Sequence, residues 1–315
     1  DFFIPNVSNL SIVSISGGTG HEARYRHVLY LTNQEEILSF DYIISDRDSP
    51  GVYLACAYLF DEWCKSIREL INKGYYNVSE KIERKNMSLK DVLLSKKENY
   101  PIITEIKFSS PSLGEINSNS NSQKEILTKM EVNGSSAISV LTQPLYFDGS
   151  LDNLKIIRQN TNLPILMKDI IIDEKQIDAG YNLGADVILL IETLFVDNQN
   201  KLEQLIASAK NLGLEILLEV NSKQEFDKAV TRDVDILGIN NRDLNTLELD
   251  MKTTNRILGE EFKMDKPIIS ESGILTSEDI KIIGKSGVNG FLVGTSIMKS
   301  DNIEKKIKEL TSVRK

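Results

Sequence analysis

Eight short apolar runs recur from residue 101 onward, rich in β-branched residues and free of polar alternation. They are PIITEIK (101–107), AISVL (137–141), LPILMK (163–168), VILLI (187–191), EILLE (215–219), ILGIN (236–240), PIIS (267–270) and FLVG (291–294). Strands without a polar face are covered on both sides, as in a parallel sheet under helices. Successive starts lie 36, 26, 24, 28, 21, 31 and 24 residues apart, which is room for a strand, a helix and two loops. Helix signals fill the gaps. SKQE (222–225) predicts a capping box, and Ser150 precedes an apolar pattern at Leu151, Leu154 and Ile157. NGSSA (133–137), LGADV (183–187) and SGVNGF (286–291) each put a helix-ending glycine ahead of a strand. Eight such units over residues 101–315 predict an α/β chain closed into a (β/α)8 TIM barrel. An open doubly wound sheet is the rival. It seldom has eight evenly spaced parallel strands, and the Gly-x-Gly-x-x-Gly expected after its first strand is absent.

Two helices are predicted ahead of the barrel. Residues 60–74 carry one apolar stripe, Phe60, Trp63, Cys64, Ile67, Leu70 and Ile71, with Gly74 as its stop. Ser88, with Asp91 three residues on, opens a shorter helix whose apolar positions are Leu89, Val92 and Leu93. Both are expected to pack across one end of the barrel. The chain is accordingly divided into an N-terminal extension of unassigned role, 1–56, and a barrel domain with its pre-barrel helices, 57–315. In the extension, NLSIVSISGGTG (9–20) reads as a strand entering a glycine-rich loop, and FDYIISD (40–46) as another strand. GGTG without a following Lys-Ser/Thr reads as a plain turn rather than a phosphate loop. The chain opens on Asp1, not methionine, which leaves a fragment, a processed form and an uncertain gene start all open.

A net charge of −9, with lysines and arginines scattered, argues against nucleic acid or anionic membrane as a partner. No run of about 18 apolar residues is present, so no transmembrane helix is expected, and no signal-peptide pattern opens the chain. Cys56 and Cys64 do not make a disulfide framework, which suits a reducing cytoplasm.

Both histidines, His21 and His27, and both cysteines fall in the first 64 residues. Chemistry further along must do without imidazole and thiol. Yet Glu105 and Lys107 close the first run, Lys168 the third and Glu219 the fifth, and Glu271 follows the seventh. An ionisable residue at the end of an apolar strand is costly unless that end opens into a polar cavity. Barrel active sites lie at the C-terminal strand ends. One mouth would therefore gather Glu105, Lys107, Lys168, Glu219, Asn240, Arg242, Glu271 and Ser272. Ser272-Gly273 after strand seven and Gly294-Thr295-Ser296 after strand eight stand where barrels commonly bind phosphate. Taken singly, each residue also fits a plain role: a lysine snorkelling to solvent, a strand-end salt bridge, a glycine in a tight turn. The set together favours function, because several buried charges are unfavourable unless paired and used. A desolvated lysine near other cations has a lowered pKa and can act as general acid or Schiff-base nucleophile. A glutamate opposite can take a proton. No His/Cys/Asp cluster has metal spacing. The chemistry expected is acid–base work on a sugar phosphate, with no metal and no cofactor.

The segments TEIKFSSPSLG (104–114), SVLTQPLYFDGS (139–150), LPILMKDIIIDEKQIDAGYNLGADVILLI (163–191), LLEVN (217–221), GINNRDLNTLELD (238–250), ISESGI (269–274) and GVNGFLVGTSIM (287–298) run in order across all eight strands. Together they closely resemble the indole-3-glycerol phosphate synthase family of tryptophan biosynthesis, over roughly residues 60–315. The resemblance implies ring closure, decarboxylation and dehydration of 1-(2-carboxyphenylamino)-1-deoxyribulose 5-phosphate. It implies Lys168 as the general acid, Lys107 as a second lysine with Glu105 beside it, and Glu219 as the carboxylate that stabilises a cationic intermediate. Asn240 and Arg242 would hold the substrate's hydroxyl and carboxylate, Phe147 would pack on its ring, and Glu271 and Ser272 match the seventh-strand site. Ser110, Gly273, Gly294 and Thr295 would cradle the phosphate. The implied partner is a phosphorylated small molecule, with no nucleic acid and no membrane. The chain would be a monomer or in weak association with other tryptophan-pathway enzymes. Two positions depart from the pattern: Phe108, where many relatives are basic, and Ile170, where many have phenylalanine. The competing readings are another sugar-phosphate barrel, isomerase or aldolase-like lyase, and a non-catalytic barrel. The last should have lost a site charge, and none is missing.

Overall fold

The computed structural model describes residues 10–17, 23–31, 37–44, 63–107, 109–110, 114–115, 123–244 and 247–315. The chain divides into two compact units, Asp1–Glu62 and Trp63–Lys315. In the first, Leu10–Gly17, Ala23–Leu31 and Ile37–Ile44 form an antiparallel sheet with the second strand in the middle. The outer two strands match predicted runs. The middle one was not foreseen, because Arg24, Arg26 and His27 break up its apolar pattern. The GGTG loop beyond Gly17 lies outside the described residues.

The second unit is a closed parallel barrel. Its strands are β1 (Ile102–Ile106), β2 (Ala137–Leu141), β3 (Ile165–Lys168), β4 (Val187–Ile191), β5 (Glu215–Val220), β6 (Ile236–Asn240), β7 (Ile268–Glu271) and β8 (Gly290–Val293). Each pairs with the next and β8 closes on β1. The eight apolar runs are these strands, and the open-sheet alternative is excluded. Ile103, Leu166, Val187, Leu189, Leu217, Ile236, Ile269 and Leu292 belong to one buried cluster. Burying each such side chain stabilises by about 1.5–3 kcal/mol.

Helices α1 (Gln123–Val132), α2 (Leu151–Asn160), α3 (Glu174–Asn182), α4 (Gln199–Asn211), α5 (Lys223–Ala229), α6 (Thr253–Leu258), α7 (Ser277–Gly284) and α8 (Ile303–Thr311) follow the strands in turn. Short helical turns, Pro144–Phe147 and Thr295–Met298, precede α2 and α8. Helix-ending Gly134, Gly184 and Gly287 take φ of +98°, +85° and +89°, a region that side chains with a Cβ rarely enter. Ser150 caps α2 by accepting the Asn153 N–H. Only half of the capping box predicted at 222–225 forms. Ser222 accepts the Glu225 N–H at 3.2 Å, but the Glu225 carboxylate takes the Asn221 N–H and the Thr193 hydroxyl instead.

The two pre-barrel helices do not share one end of the barrel, as expected, but occupy opposite ends. Helix 63–72 lies at the C-terminal mouth, where Ser66 accepts the Tyr146 hydroxyl proton and Tyr75 donates to the Thr142 carbonyl. Helix Leu89–Leu94 plugs the N-terminal end. Leu89 and Leu93 join the interior cluster, and Glu215, at the start of β5, accepts the Leu89 and Lys90 N–H groups. The segment between them runs down the barrel side, where Arg84 donates to the Ala185, Leu212 and Gly213 carbonyls.

Candidate active site

The strand ends deliver their ionisable side chains to one place. Lys168 ends β3, and its Nζ lies 2.6 Å from Glu271 Oε2 at the end of β7. Glu219 Oε2, from β5, is 3.6 Å away, and Glu105 Oε2, from β1, is 4.0 Å away. Lys107 pairs with the other Glu105 oxygen at 3.1 Å, and its ammonium sits 5.9 Å from the centroid of the Phe147 ring. Ser139 donates to Glu105 at 3.3 Å. Asn240 donates to Glu219 Oε1 at 2.8 Å, and its own Oδ1 accepts the Arg242 N–H at 2.9 Å. One Arg242 nitrogen is tied to the Leu247 carbonyl at 2.6 Å. The fork keeps other donors for a ligand.

These groups surround a cavity of about 300 Å³, within the range of small-molecule sites. Glu105, Lys107, Phe147, Lys168, Glu219, Asn240, Arg242, Ser272, Gly273, Gly294 and Thr295 all line it. The side chain of Ser110 lies outside the described residues, as does Phe108. Glu271 departs from its expected place as a substrate contact. It is fully buried and lies behind Lys168, so it addresses the lysine rather than the cavity. Gly238 on β6 makes this possible: a Cβ there would stand 2.2 Å from Glu271 Oε1.

The charge environment also corrects the expected lysine. Burial works to lower the Lys168 pKa, but the nearby Glu271, Glu219 and Glu105 carboxylates raise it, and they win. Lys168 is held protonated by anions, not depressed by neighbouring cations. Burial works to raise Glu105, but Lys107 and Lys168 bring it below the usual range. Glu271 goes the other way. Burial, with Glu219 and Glu105 close by, pushes it up to about 7 despite Lys168. Burial alone lowers Arg242.

Two groups at this mouth were not singled out from the sequence. Trp63, from helix 63–72, lines the cavity and packs on Tyr146 with ring centroids 5.7 Å apart. It sits in an apolar helical stripe, the same signal a core residue gives. Asp169, next to the catalytic lysine candidate, is buried and accepts from Thr142, Ile170 and Tyr76. An aspartate after a strand end reads as a solvated loop residue, and nothing in the sequence marks its burial. The apolar wall is completed by Leu141, Ile170, Leu189 and Ile191.

A closed parallel barrel with lysines and glutamates converging on a cavity at its C-terminal mouth, where barrel enzymes keep their active sites, defines the class as a (β/α)8-barrel enzyme. The family model for indole-3-glycerol phosphate synthase matches residues 60–310, and the chain belongs to that family. The chain is 40% identical over 240 residues to an indole-3-glycerol phosphate synthase of Staphylococcus haemolyticus, covering 75% of this chain and 90% of that one. It is 40% identical over 224 residues to the Bacillus cereus synthase, 71% of this chain and 85% of that one. A Lactococcus lactis synthase is 38% identical over 235 residues, 74% and 87% of the two chains.

Proposed function

We propose that this barrel converts 1-(2-carboxyphenylamino)-1-deoxyribulose 5-phosphate to indole-3-glycerol phosphate, CO2 and water, a step of tryptophan biosynthesis, with Lys168 as the general acid. The observation that carries the reading is one ammonium within 4.0 Å of three carboxylates beneath a cavity with one apolar wall. The substrate matches that cavity. Its aryl ring suits Phe147, Trp63 and the aliphatic wall. Its carboxylate and phosphate suit Lys107, Arg242 and the glycine-lined turns at Gly273 and Gly294, with Thr295 on the same cavity, and the sequence resemblance adds Ser110 to the phosphate site.

In the first step the ring carbon bearing the carboxylate attacks the ketone carbon, pushed by the arylamine nitrogen. Lys168 gives its proton to the carbonyl oxygen as that bond forms. The carboxylates keep Lys168 protonated until the substrate carbonyl is in place, and after donation Glu271, 2.6 Å away, gives the neutral amine a proton and becomes the carboxylate. The departing CO2 leaves its electron pair to the ring and restores aromaticity. The iminium nitrogen is the electron sink, so no cofactor is called for. Glu219, fixed by Asn240, faces the cationic intermediate and stabilises it. Lys107, paired with Glu105, protonates the departing hydroxyl, and a carboxylate takes the proton from the carbon next to nitrogen to complete the pyrrole. Ser272 and Asn240 meet the sugar hydroxyls.

Purified protein given the substrate should form the indole chromophore with release of CO2. Turnover of other sugar phosphates with none of this one would remove the reading. We also take residues 57–315 to be the catalytic unit and residues 1–56 an extension of unassigned role that catalysis does not need. Limited proteolysis should then leave an active core that starts near residue 57. No described helix is long and apolar enough to cross a membrane. The cytoplasm, as monomer or in weak association with neighbouring enzymes of the pathway, is the setting proposed.

A further inference from the structure

Strand β3 ends at Lys168, and the sheet gives the chain no support past that residue. Its ladder to β4 stops at Met167, paired with Ile188. The Lys168 carbonyl turns to β2, where it accepts the Thr142 N–H at 3.2 Å, and Lys168 is the last residue of the strand. A lysine whose Nζ must stay within a few tenths of an ångström of its carboxylates needs a firmer base.

Past the strand ends the chain is held by a pair of tyrosines ahead of the barrel. Tyr76 is buried, and its hydroxyl donates to Asp169 Oδ2 at 3.1 Å and lies 3.3 Å from Oδ1. Asp169 Oδ2 also accepts the Thr142 hydroxyl at 2.6 Å, and Oδ1 accepts the Ile170 N–H at 2.8 Å. Tyr75 donates to the Thr142 carbonyl at 3.0 Å and accepts the Leu151 N–H at 3.1 Å. The two rings meet edge to face with centroids 4.9 Å apart. Every polar group of Thr142 is thus engaged: its N–H on Lys168, its carbonyl on Tyr75, its hydroxyl on Asp169. On the far side, Gln176 donates to the Ile170 carbonyl at 2.9 Å. The chain just past Lys168 is fixed by side chains where the sheet no longer fixes it.

We infer that Tyr76 is a positioning residue for the reaction: through Asp169 and Thr142 it fixes the backbone of Lys168 and so aims the ammonium at the substrate carbonyl. A hydroxyl contributed from outside the barrel does for β3 what the β4 ladder does for its earlier residues. Tyr76 touches neither substrate nor reacting atoms, since it reaches Lys168 only through this network. The inference rests on the proposed role of Lys168.

Tyr76→Phe removes the one oxygen and keeps the ring, so the fold should persist. In this variant kcat should fall about tenfold while KM stays within about twofold, because misplacement of the acid harms the transition state more than binding. Thr142→Val should give the same split, and Thr142→Ser, which keeps the hydroxyl, should restore most of kcat. A merely structural role would lower the melting temperature and leave both kinetic constants alone in folded protein. Unchanged kcat in Tyr76→Phe and Thr142→Val, in an enzyme that Lys168→Ala still silences, overturns the inference and leaves the proposed function standing. Full activity of Lys168→Ala overturns both.

Discussion

Glu271 places a carboxylate oxygen 2.6 Å from the ammonium of Lys168, yet it is the more deeply buried partner and its second oxygen has no hydrogen bond among the described residues. The lysine is kept charged by the arrangement and the glutamate is kept uncomfortable. A buried carboxylate with an orphaned oxygen destabilises the fold.

That discomfort has a pH signature. Folded Glu271 keeps its proton up to about pH 7, whereas the ordinary value is 4.5. The folded state therefore binds more protons across that window, and stability falls as pH rises through it. Glu271→Gln is neutral throughout and should melt higher than the parent near pH 8, by roughly 3 kcal/mol at most. The advantage should shrink toward about pH 4.5, and kcat should drop. Thermal melts across pH check this. A variant less stable than the parent near pH 8 would mean that attraction to Lys168 outweighs burial.

Gly238 is the space that Glu271 occupies. A methyl group there would stand 2.2 Å from the carboxylate and 3.2 Å from Leu217. Gly238→Ala should cost about 1–3 kcal/mol of stability through overpacking and displace the carboxylate from Lys168. Calorimetry and kcat together test it. A loss of stability with full kcat would separate the glycine from the site.

How far the site was readable in the chain follows from these residues. Lys168, Glu105 and Glu219 were legible because each interrupts an apolar strand at the end a barrel opens to its active site, so sequence position alone implied a cavity. The sign of the lysine's shift was not legible. It depends on three carboxylates from β1, β5 and β7, which only barrel closure brings within 4.0 Å of one atom. The depth of Glu271 was hidden for the same reason: its slot is a missing side chain on the neighbouring strand. Trp63 was hidden by its own periodicity, since a helix that lays one face on the barrel mouth and one that lays it on a core read alike. The strands themselves were readable to within two residues because all-apolar runs admit few other fates.

Stability outside the site rests heavily on Asp186. Its carboxylate accepts from Arg158 at 2.8 Å, from the Ile165 N–H at 3.0 Å and from the Met87 N–H at 3.1 Å, joining the pre-barrel segment to the barrel. Arg158 and Asp186 side chains are both fully buried. Asp186→Ala strands a buried guanidinium and should cost about 3–5 kcal/mol. Denaturant unfolding measures it, and a loss below about 1 kcal/mol would show that water replaces the partner.

Phe147 lines the cavity with Lys107 over its ring. Phe147→Ala should raise KM about tenfold, the effect of one lost apolar contact of roughly 1–2 kcal/mol, with a smaller change in kcat. Steady-state kinetics over a wide substrate range separates the two. An unchanged KM would place the aryl ring elsewhere in the cavity.

The claim on which the mechanism turns is proton donation by Lys168. Single-turnover formation of indole-3-glycerol phosphate by Lys168→Ala, against the parent at saturating substrate, tests it most directly. The rate should be at least about a thousandfold lower with substrate still bound. A rate within a few-fold of the parent would contradict it.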